Sequence, residues 1–364
     1  MKNHEVKKTK IPALLLILIL AAAIRLYRAG EPFDGFHGFN EAWYSIIAQN
    51  FSVKTLLYPT AYTGEVDYNV PPLLSYVLFV VFRTFGASEF MARLVPIFFG
   101  ILGVYFVFLI GVKLYNERIA LASAAMLAFM PVSIIVGRNV QADSLFVGFI
   151  LAFLYFYLKG RSSSKPAHHI IAGLFLGLAI FSKQPAVLVI VIIFLWEITT
   201  ARNLRFLNRY FIIMLTAAAA VLLPFYGFHL IVNPAALIDA QHGGALRLSE
   251  LPDVSLLGFL LRESVWAISP PIALIFLISL IYFIRRANDG DLLLYISIAV
   301  YGIFFLFLHK HTYYMLPIAP FAALLAGRLW SGEKYQSGKT VMLTIVCIAA
   351  ALVSIFLLCG MKFG

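Results

Sequence analysis

The chain has 364 residues, of which 62% are hydrophobic and only 12% charged, and its mean hydropathy is +0.92. Soluble domains are about half apolar and about a quarter charged, so the composition excludes an ordinary soluble fold. The net charge of +11 does not favour nucleic-acid binding, because the basic residues form short clusters between apolar segments, as in membrane proteins. We therefore predict an all-α polytopic membrane protein.

Hydropathy and charge predict a single membrane domain over residues 1–364 with about eleven transmembrane helices. Lysines before Ile11 place the start of the first span, Ile11–Leu26, in the cytoplasm. Residues 27–89 then form a large first outer loop, in which Pro72–Phe85 is too short for a full span and is predicted to be an interfacial helix. With that segment outside the membrane core, every strong Lys/Arg cluster falls on the cytoplasmic side.

A second large outer loop is predicted at residues 233–262, and no soluble C-terminal domain is expected. The remaining spans are predicted at Phe90–Val112, Ile119–Val136, Ser144–Leu158, Ile170–Ser182, Pro185–Thr199, Tyr210–Ile231, a segment ending at Arg285, Leu292–Leu308, Tyr313–Leu329 and Val341–Leu358.

The first candidate site residue is Glu41, which lies in the segment Phe36–Ser45 after the first span. An acid at a water–membrane boundary is suited to general base catalysis when partial burial and hydrogen bonds orient it. The alternative is a solvated acid in the first turn of a helix over Trp43–Phe51, with Asn40 as its N-cap. The residue pattern alone leaves both interpretations open.

Other polar side chains gather at the predicted outer ends of the spans. Asp143 begins the fourth span and is either a helix N-terminal charge or a second carboxylate that orients the acceptor or Arg138. Lys183 precedes a proline in a short hairpin and is either a snorkelling lysine or a ligand for a lipid phosphate. Charges at membrane depth are costly and usually functional, so their convergence on one face indicates a site.

A third group of polar and aromatic residues follows the ninth span. It forms either an interfacial belt, in which tyrosine is common, or a phosphate-binding rim. The i, i+2 spacing of its two histidines does not favour a metal site. The group consists of His309, Lys310, His311, Tyr313 and Tyr314.

Several short motifs follow one another in an order that resembles a known family. They are Asn40-Glu41-Ala42-x-Tyr44, Pro71-Pro72-Leu73, Gly86-x-Ser88 with Arg93-Leu94-x-Pro96, Arg138-x-x-x-x-Asp143, Ser182-Lys183-x-Pro185 and Tyr313-Tyr314-x-x-Pro317-x-x-Pro320. The series resembles the polyprenyl-phosphate-sugar glycosyltransferases with the C-type membrane fold, that is, the protein O-mannosyltransferase-like and aminoarabinose transferase-like enzymes. The likeness covers about residues 10 to 330.

The resemblance implies an enzyme that moves a sugar from a polyprenyl- or dolichyl-phosphate carrier to a lipid, glycan or protein acceptor. Transfer would invert the sugar, use a carboxylate base and occur on the outer face of the cell membrane, among membrane lipids and without nucleic acid. No cofactor or metal site is required, although the resemblance leaves open whether a divalent cation such as Mg²⁺ or Mn²⁺ takes part. Glu41 and Asp143 are the expected catalytic residues. The expected substrate-binding residues are His37, Arg138, Lys183, His309, Lys310, His311, Tyr313 and Tyr314.

Two positions depart from the family pattern. Asn40 stands where the family carries an aspartate, and an amide is no useful base at neutral pH, so that role would fall to Glu41 or to another acid such as Asp34. Val70 replaces a lysine that often precedes the paired prolines. Alternatives to the enzyme are an assembly subunit that has lost catalysis and a transporter or lipid flippase, which would show pseudo-symmetric halves that this sequence does not display.

Overall fold

The computed structural model describes residues 11–34, 37–61, 64–68, 70–163, 165–201, 207–243, 258, 265–306, 312–331 and 336–360. These residues form α-helices and short 3₁₀ turns without a β-strand, which confirms the predicted all-α class. The helices are α1 (Ile11–Leu26), α2 (Gly38–Asn50), α3 (Leu73–Phe85), α4 (Glu89–Leu114), α5 (Glu117–Phe129), α6 (Pro131–Ile135), α7 (Asp143–Ser163), α8 (Pro166–Ser182), α9 (Leu188–Ala201), α10 (Arg209–Val232), α11 (Pro234–Gly243), α12 (Pro270–Ile284), α13 (Asp289–Leu306), α14 (Ala319–Gly327) and α15 (Gln336–Gly360).

Helix length and composition identify five candidate membrane spans among the described residues. They are Glu89–Leu114, Asp143–Ser163, Gln184–Ala201, Arg209–Val232 and Gly338–Leu358. The helices α1, α3, α8 and α12 are apolar but shorter. The chain is therefore a multi-helix membrane protein, while the predicted number of eleven spans and the interfacial position of α3 stay predictions.

In two of the predicted spans the helix is interrupted. The segment Ile119–Val136 divides into α5 and α6, because Pro131 has no N–H to continue the helix and disfavours helical geometry at Met130, which is extended. The segment Tyr313–Leu329 likewise divides into a 3₁₀ turn and the short helix α14. Both segments stay predicted spans, and each contains a break in its helix.

The break between α5 and α6 is held by Arg25, a fully buried residue in the last turn of α1. Its guanidinium donates to the carbonyl oxygens of Ala128 at 3.1 Å and Ser133 at 3.0 Å, and to the Ser133 hydroxyl at 2.8 Å. Carbonyl groups at the end of a helix lack an intrahelical donor, and leaving them unpaired in an apolar interior is costly. Arg25 therefore stabilises the break and fixes α1 against it.

The central helix of the bundle is α7, which packs between α4 and α8. In the most apolar 18-residue stretch of α7, 83% of the residues are buried, compared with 22% in that of α15, so α15 lies at the periphery of the described bundle. The N-termini of α4 and α7 and the C-terminus of α8 lie at one end of the bundle, called here the site end.

The opposite end, called here the basic end, carries many Lys and Arg residues. Lys113 at the C-terminus of α4 lies within electrostatic reach of Lys159 near the C-terminus of α7, and both interact with His168 at the start of α8. Arg328 also lies at this end, paired with the fully buried Asp291, whose carboxylate accepts the Tyr115 hydroxyl at 2.7 Å. Lys113, Lys159 and Arg328 therefore lie together at the end of the bundle opposite the site end.

Candidate functional site

Glu41 lies in the first turn of α2, and its side chain is buried, with 2% of its surface exposed. Its Oε1 accepts from Arg93 Nε at 3.0 Å and from the Val140 backbone N–H at 3.0 Å, and its Oε2 accepts from Arg93 Nη2 at 2.9 Å. Both carboxylate oxygens are thus engaged. The alternative of a solvated helix-capping acid is wrong, because Glu41 is a buried, ion-paired residue.

The helix that carries Glu41 begins earlier than predicted. Helix α2 spans Gly38–Asn50 rather than Trp43–Phe51, so Asn40 lies inside its first turn and is not the N-cap. The N-cap residue is His37, which has a left-handed backbone with φ of 60° and makes no side-chain cap. Gly38 permits this tight entry, because a Cβ there would lie 2.2 Å from the Phe33 carbonyl oxygen.

Arg93, near the N-terminus of α4, connects Glu41 to the chain that leaves α1. Its guanidinium donates to the carbonyl oxygens of Ala29 and Pro32, each at 3.2 Å, and to that of Glu31, and it lies 5.0 Å from the centre of the Phe33 ring. Sequence reasoning placed Arg93 in a motif but gave it no role. Its position inside a predicted span was a usable signal, because a cation there requires a partner.

The second predicted carboxylate, Asp143, forms an ion pair with Lys183. Asp143 is the first residue of α7 and Lys183 directly follows α8, and the Lys183 Nζ lies 2.8 Å from Asp143 Oδ1. In the described part of the chain, Asp143 Oδ2 accepts no hydrogen bond. Asp143 is buried and Lys183 is partly exposed, with 5% and 23% of their side-chain surfaces accessible. Lys183 therefore contacts a partner in the protein, and its contact with a lipid phosphate stays a prediction.

Aromatic rings surround this ion pair. The Lys183 Nζ lies 4.8 Å from the ring centre of Tyr313 and 5.6 Å from that of Tyr314, distances at which cation–π attraction operates. The His37 ring meets Tyr313 edge-on at 5.1 Å. Four of the predicted binding residues, which are distant in sequence, are therefore brought together beside Asp143.

Tyr44, which was named only as part of a motif, also belongs to this cluster. Burial raises the pKa of its phenol, and the carboxylates of Asp143 and Asp67 raise it further. Tyr44 consequently stays protonated and keeps an O–H that can donate a hydrogen bond. It lies one helical turn after Glu41. Helix α2 therefore contributes Glu41 to the pair with Arg93 and Tyr44 to the cluster around Asp143.

Arg138 lies on the loop of residues 136–142, the same loop that donates to Glu41. It is 7% exposed, and its guanidinium makes no hydrogen bond within the described residues. Burial and the neighbouring charge of Arg93 lower the pKa of Arg138, whereas Glu41 opposes that shift. Gln141 Nε2 on the same loop is buried and also lacks an acceptor in the described chain. Two donors are therefore available here for an anionic or polar ligand.

The remaining predicted residues lie elsewhere in the structure or outside the described part of the chain. His309, Lys310 and His311 lie outside the described residues, so their proposed contact with phosphate stays a prediction. Asp34, the alternative acid, is exposed. Within the described ranges, no group of three or more His, Cys, Asp or Glu side chains is arranged to hold a metal. The oxygens of Glu41 do not fit such a role, because Arg93 and Val140 engage them.

Residues 69–228 match the family model of the dolichyl-phosphate-mannose-protein mannosyltransferases. The chain is also similar to dolichyl-phosphooligosaccharide-protein glycotransferase 2 of Archaeoglobus fulgidus. The two are 29% identical over 143 residues, which is 35% of this chain and 23% of that protein.

Solved structures share the architecture of this chain. ArnT from Cupriavidus metallidurans, bound to undecaprenyl phosphate, has a TM-score of 0.77 and 19% identity, covering 93% of this chain and 64% of that one. AglB from Archaeoglobus fulgidus, in complex with an inhibitory peptide and a dolichol-phosphate, has a TM-score of 0.64 and 15% identity. The match covers 98% of this chain and 56% of the AglB chain. This chain therefore spans less than two thirds of these relatives. Its fold is that of the C-type membrane glycosyltransferases, as the motif series predicted.

Proposed function

We propose that this chain, which has the C-type glycosyltransferase fold, transfers a sugar from a polyprenyl-phosphate carrier to an acceptor hydroxyl. The observation that carries the proposal is the Asp143–Lys183 pair at 2.8 Å, which lies against Tyr313 and Tyr314. The loop that leads into Asp143 carries the buried Arg138, whose guanidinium makes no hydrogen bond within the described residues. Such a cluster supplies a carboxylate for proton transfer beside cations for a phosphate. The similarity to proteins solved with undecaprenyl phosphate and dolichol-phosphate supports the choice of a lipid-phosphate donor.

The site end faces the outside of the cell membrane in this proposal. Lys113, Lys159 and Arg328 lie at the other end of the bundle, and residues of this type concentrate in cytoplasmic loops. A cytoplasmic basic end places the cluster of Asp143 and Lys183 on the extracytoplasmic side. The donor would then meet the site with its phosphate at the membrane surface and its chain in the bilayer.

In the transfer step, the acceptor oxygen attacks the anomeric carbon from the face opposite the phosphate. The bond between the anomeric carbon and the phosphate oxygen breaks, the electron pair leaves with polyprenyl phosphate, and the sugar inverts. Asp143 accepts the hydroxyl proton. Lys183 and Arg138 bind the phosphate and stabilise the charge that develops on it, a type of electrostatic stabilisation that is worth several kcal/mol in enzymes (about 2.7–4 per donor).

The ion pair links donor binding to base strength in this scheme. Without donor, the Lys183 ammonium is held by Asp143 Oδ1. A donor phosphate competes for that ammonium, and its binding releases Asp143 Oδ1 to face the acceptor hydroxyl. Donor binding therefore frees a second carboxylate oxygen of Asp143 for the proton of the acceptor hydroxyl.

Glu41 was predicted as the base, and that assignment has not been tested. In our proposal Glu41 is a positioning residue, because both of its oxygens are occupied by Arg93 and the Val140 N–H. It holds the loop of residues 136–142 that presents Arg138 and leads into Asp143. The phosphate is neutralised by side chains, so the proposal assigns no role to Mg²⁺ or Mn²⁺.

The proposal is tested with purified protein in liposomes and a panel of radiolabelled polyprenyl-phosphate sugars, with lipid, glycan and peptide acceptors. Wild-type protein is expected to release polyprenyl phosphate and transfer the label with at least one donor, and Asp143→Asn to transfer it at least about 100-fold more slowly. Arg83→Ala is the matched control, because Arg83 is an exposed cation at the end of α3 outside the cluster. Absence of donor cleavage with the whole panel, or full activity of Asp143→Asn, overturns the proposal.

A further inference from the structure

A long groove lies on the surface of the bundle between α1, α5 and α15. Its volume is about 640 Å³, within the range of about 300–1,000 Å³ that is typical of pockets for small ligands. Each helix contributes one face to the groove. On α15 the lining positions Thr340, Thr344, Ile348 and Ala351 follow one another at about one turn each.

The charges of the groove are confined to one end. Arg118 in the first turn of α5 and Lys339 near the start of α15 line it at the basic end, while most of the remaining lining is apolar. Within the described residues, the Lys339 ammonium donates one hydrogen bond, to the Leu329 carbonyl at 3.0 Å. An ammonium has three donors, so further hydrogen bonds to a ligand are available. The groove is therefore cationic at one end and mostly apolar along the rest of its length.

The length of the groove matches one leaflet of a bilayer. From Lys339 to Ala351 a helix rises by about 18 Å, at 1.5 Å per residue. Half of the hydrocarbon core of a bilayer measures about 15 Å. A ligand that fills the groove consequently needs an anionic head at the membrane surface and a chain that extends through a single leaflet.

We infer that the groove binds an anionic glycerophospholipid from the leaflet at the basic end. Its phosphate contacts Arg118 and Lys339, and one acyl chain lies between α1, α5 and α15. The site is separate from the cluster around Asp143, which lies at the opposite end of the bundle. Charge complementarity favours an anionic lipid over a zwitterionic one, because two cations and, among the described lining residues, no acidic one lie at the head of the groove.

Native mass spectrometry of the full chain, released from vesicles with equal phosphatidylglycerol and phosphatidylcholine, tests the inference. We expect wild-type protein to retain phosphatidylglycerol at least 10-fold more than phosphatidylcholine, and the double variant Arg118→Ala/Lys339→Ala to lose this preference. The matched control is Arg285→Ala/Arg286→Ala, which removes two exposed cations just after α12 that do not line the groove. Equal retention of both lipids by wild type, or the same loss in the control, overturns the inference.

A second measurement locates the lipid and guards against misfolded variants. A phosphatidylglycerol with a photoactivatable acyl chain should cross-link to peptides of α1, α5 and α15. Leu16→Trp, at a lining position that is 57% exposed, should block the cross-link by filling the groove. The charge-preserving double variant Arg118→Lys/Lys339→Arg should retain it. Cross-links only to other helices overturn the assignment of the site. Loss of the cross-links to α1, α5 and α15 in the presence of equimolar polyprenyl phosphate overturns the assignment of the ligand as a phospholipid.

Discussion

The guanidinium of Arg93 binds the carboxylate of Glu41 through two parallel contacts, Nε to Oε1 at 3.0 Å and Nη2 to Oε2 at 2.9 Å. Both side chains are buried, with 6% and 2% of their surfaces exposed. Bidentate pairs of this geometry are among the stronger charge-assisted interactions, and a buried charge without its partner is strongly unfavourable. Because Glu41 also accepts the Val140 N–H, the pair fixes α2, α4 and the loop of residues 136–142 relative to one another.

The first prediction concerns this pair. Glu41→Gln keeps an acceptor for Val140 but removes the charge that compensates Arg93, so the protein should lose about 3–5 kcal/mol of stability. Thermal unfolding of the purified protein in detergent measures the loss. In a double-mutant cycle with Arg93→Met, the double variant should be more stable than the sum of the two single effects implies, because neither charge is then left unpaired.

The exposed pair Arg28–Glu31 provides the control for that cycle. Its side chains are 38% and 45% exposed, and Glu31→Gln should change stability by no more than about 1 kcal/mol. If Glu41→Gln unfolds like wild type yet loses transfer activity, Glu41 is the catalytic base and our assignment of a positioning role is wrong.

The second prediction separates the functions of Asp143 and Lys183. Asp143→Asn should lower kcat by about 10²–10⁴-fold, the usual contribution of a general base, while donor binding persists or strengthens because Lys183 is no longer paired in the free protein. Lys183→Met should instead weaken binding of polyprenyl phosphate as well as lower kcat. Single-turnover transfer rates and the affinity for polyprenyl phosphate give the two readouts. Equal loss of donor affinity in both variants contradicts the division of roles.

Sequence patterns predicted the helical class and the gathering of Lys183, Tyr313 and Asp143, because motif order and charge placement are properties of the chain itself. They did not predict the partner of Glu41, since the pairing with Arg93 joins residues 52 positions apart. A cation inside a predicted span signals that a partner is needed but not which one. The breaks at Pro131 and before α14 were missed because hydropathy windows respond to apolar content and not to the missing N–H of proline.

The third prediction assigns Arg138 to the donor phosphate. Arg138→Ala should raise the KM for the donor by about 10- to 100-fold, as expected for loss of a charge-assisted hydrogen bond worth about 1.5–3 kcal/mol. Affinity for free polyprenyl phosphate should fall by a similar factor, whereas affinity for the acceptor should not. Arg83→Ala serves as the control cation. An unchanged affinity for polyprenyl phosphate in Arg138→Ala contradicts this assignment.

The fourth prediction concerns the path of the loop that carries Arg138. A Cβ at Gly137 would lie 2.0 Å from the Ser133 carbonyl oxygen, so Gly137→Ala must displace backbone between Ser133 and Val140. Because Val140 donates to Glu41 and the loop leads into Asp143, the displacement should lower both thermal stability and transfer activity.

Gly302 in α13 is the matched control for Gly137→Ala, since a Cβ there meets no atom within 4 Å. Gly302→Ala should leave activity unchanged and, in a helix interior, increase stability by up to about 1 kcal/mol. Wild-type activity in Gly137→Ala shows that the loop tolerates displacement and does not position the site.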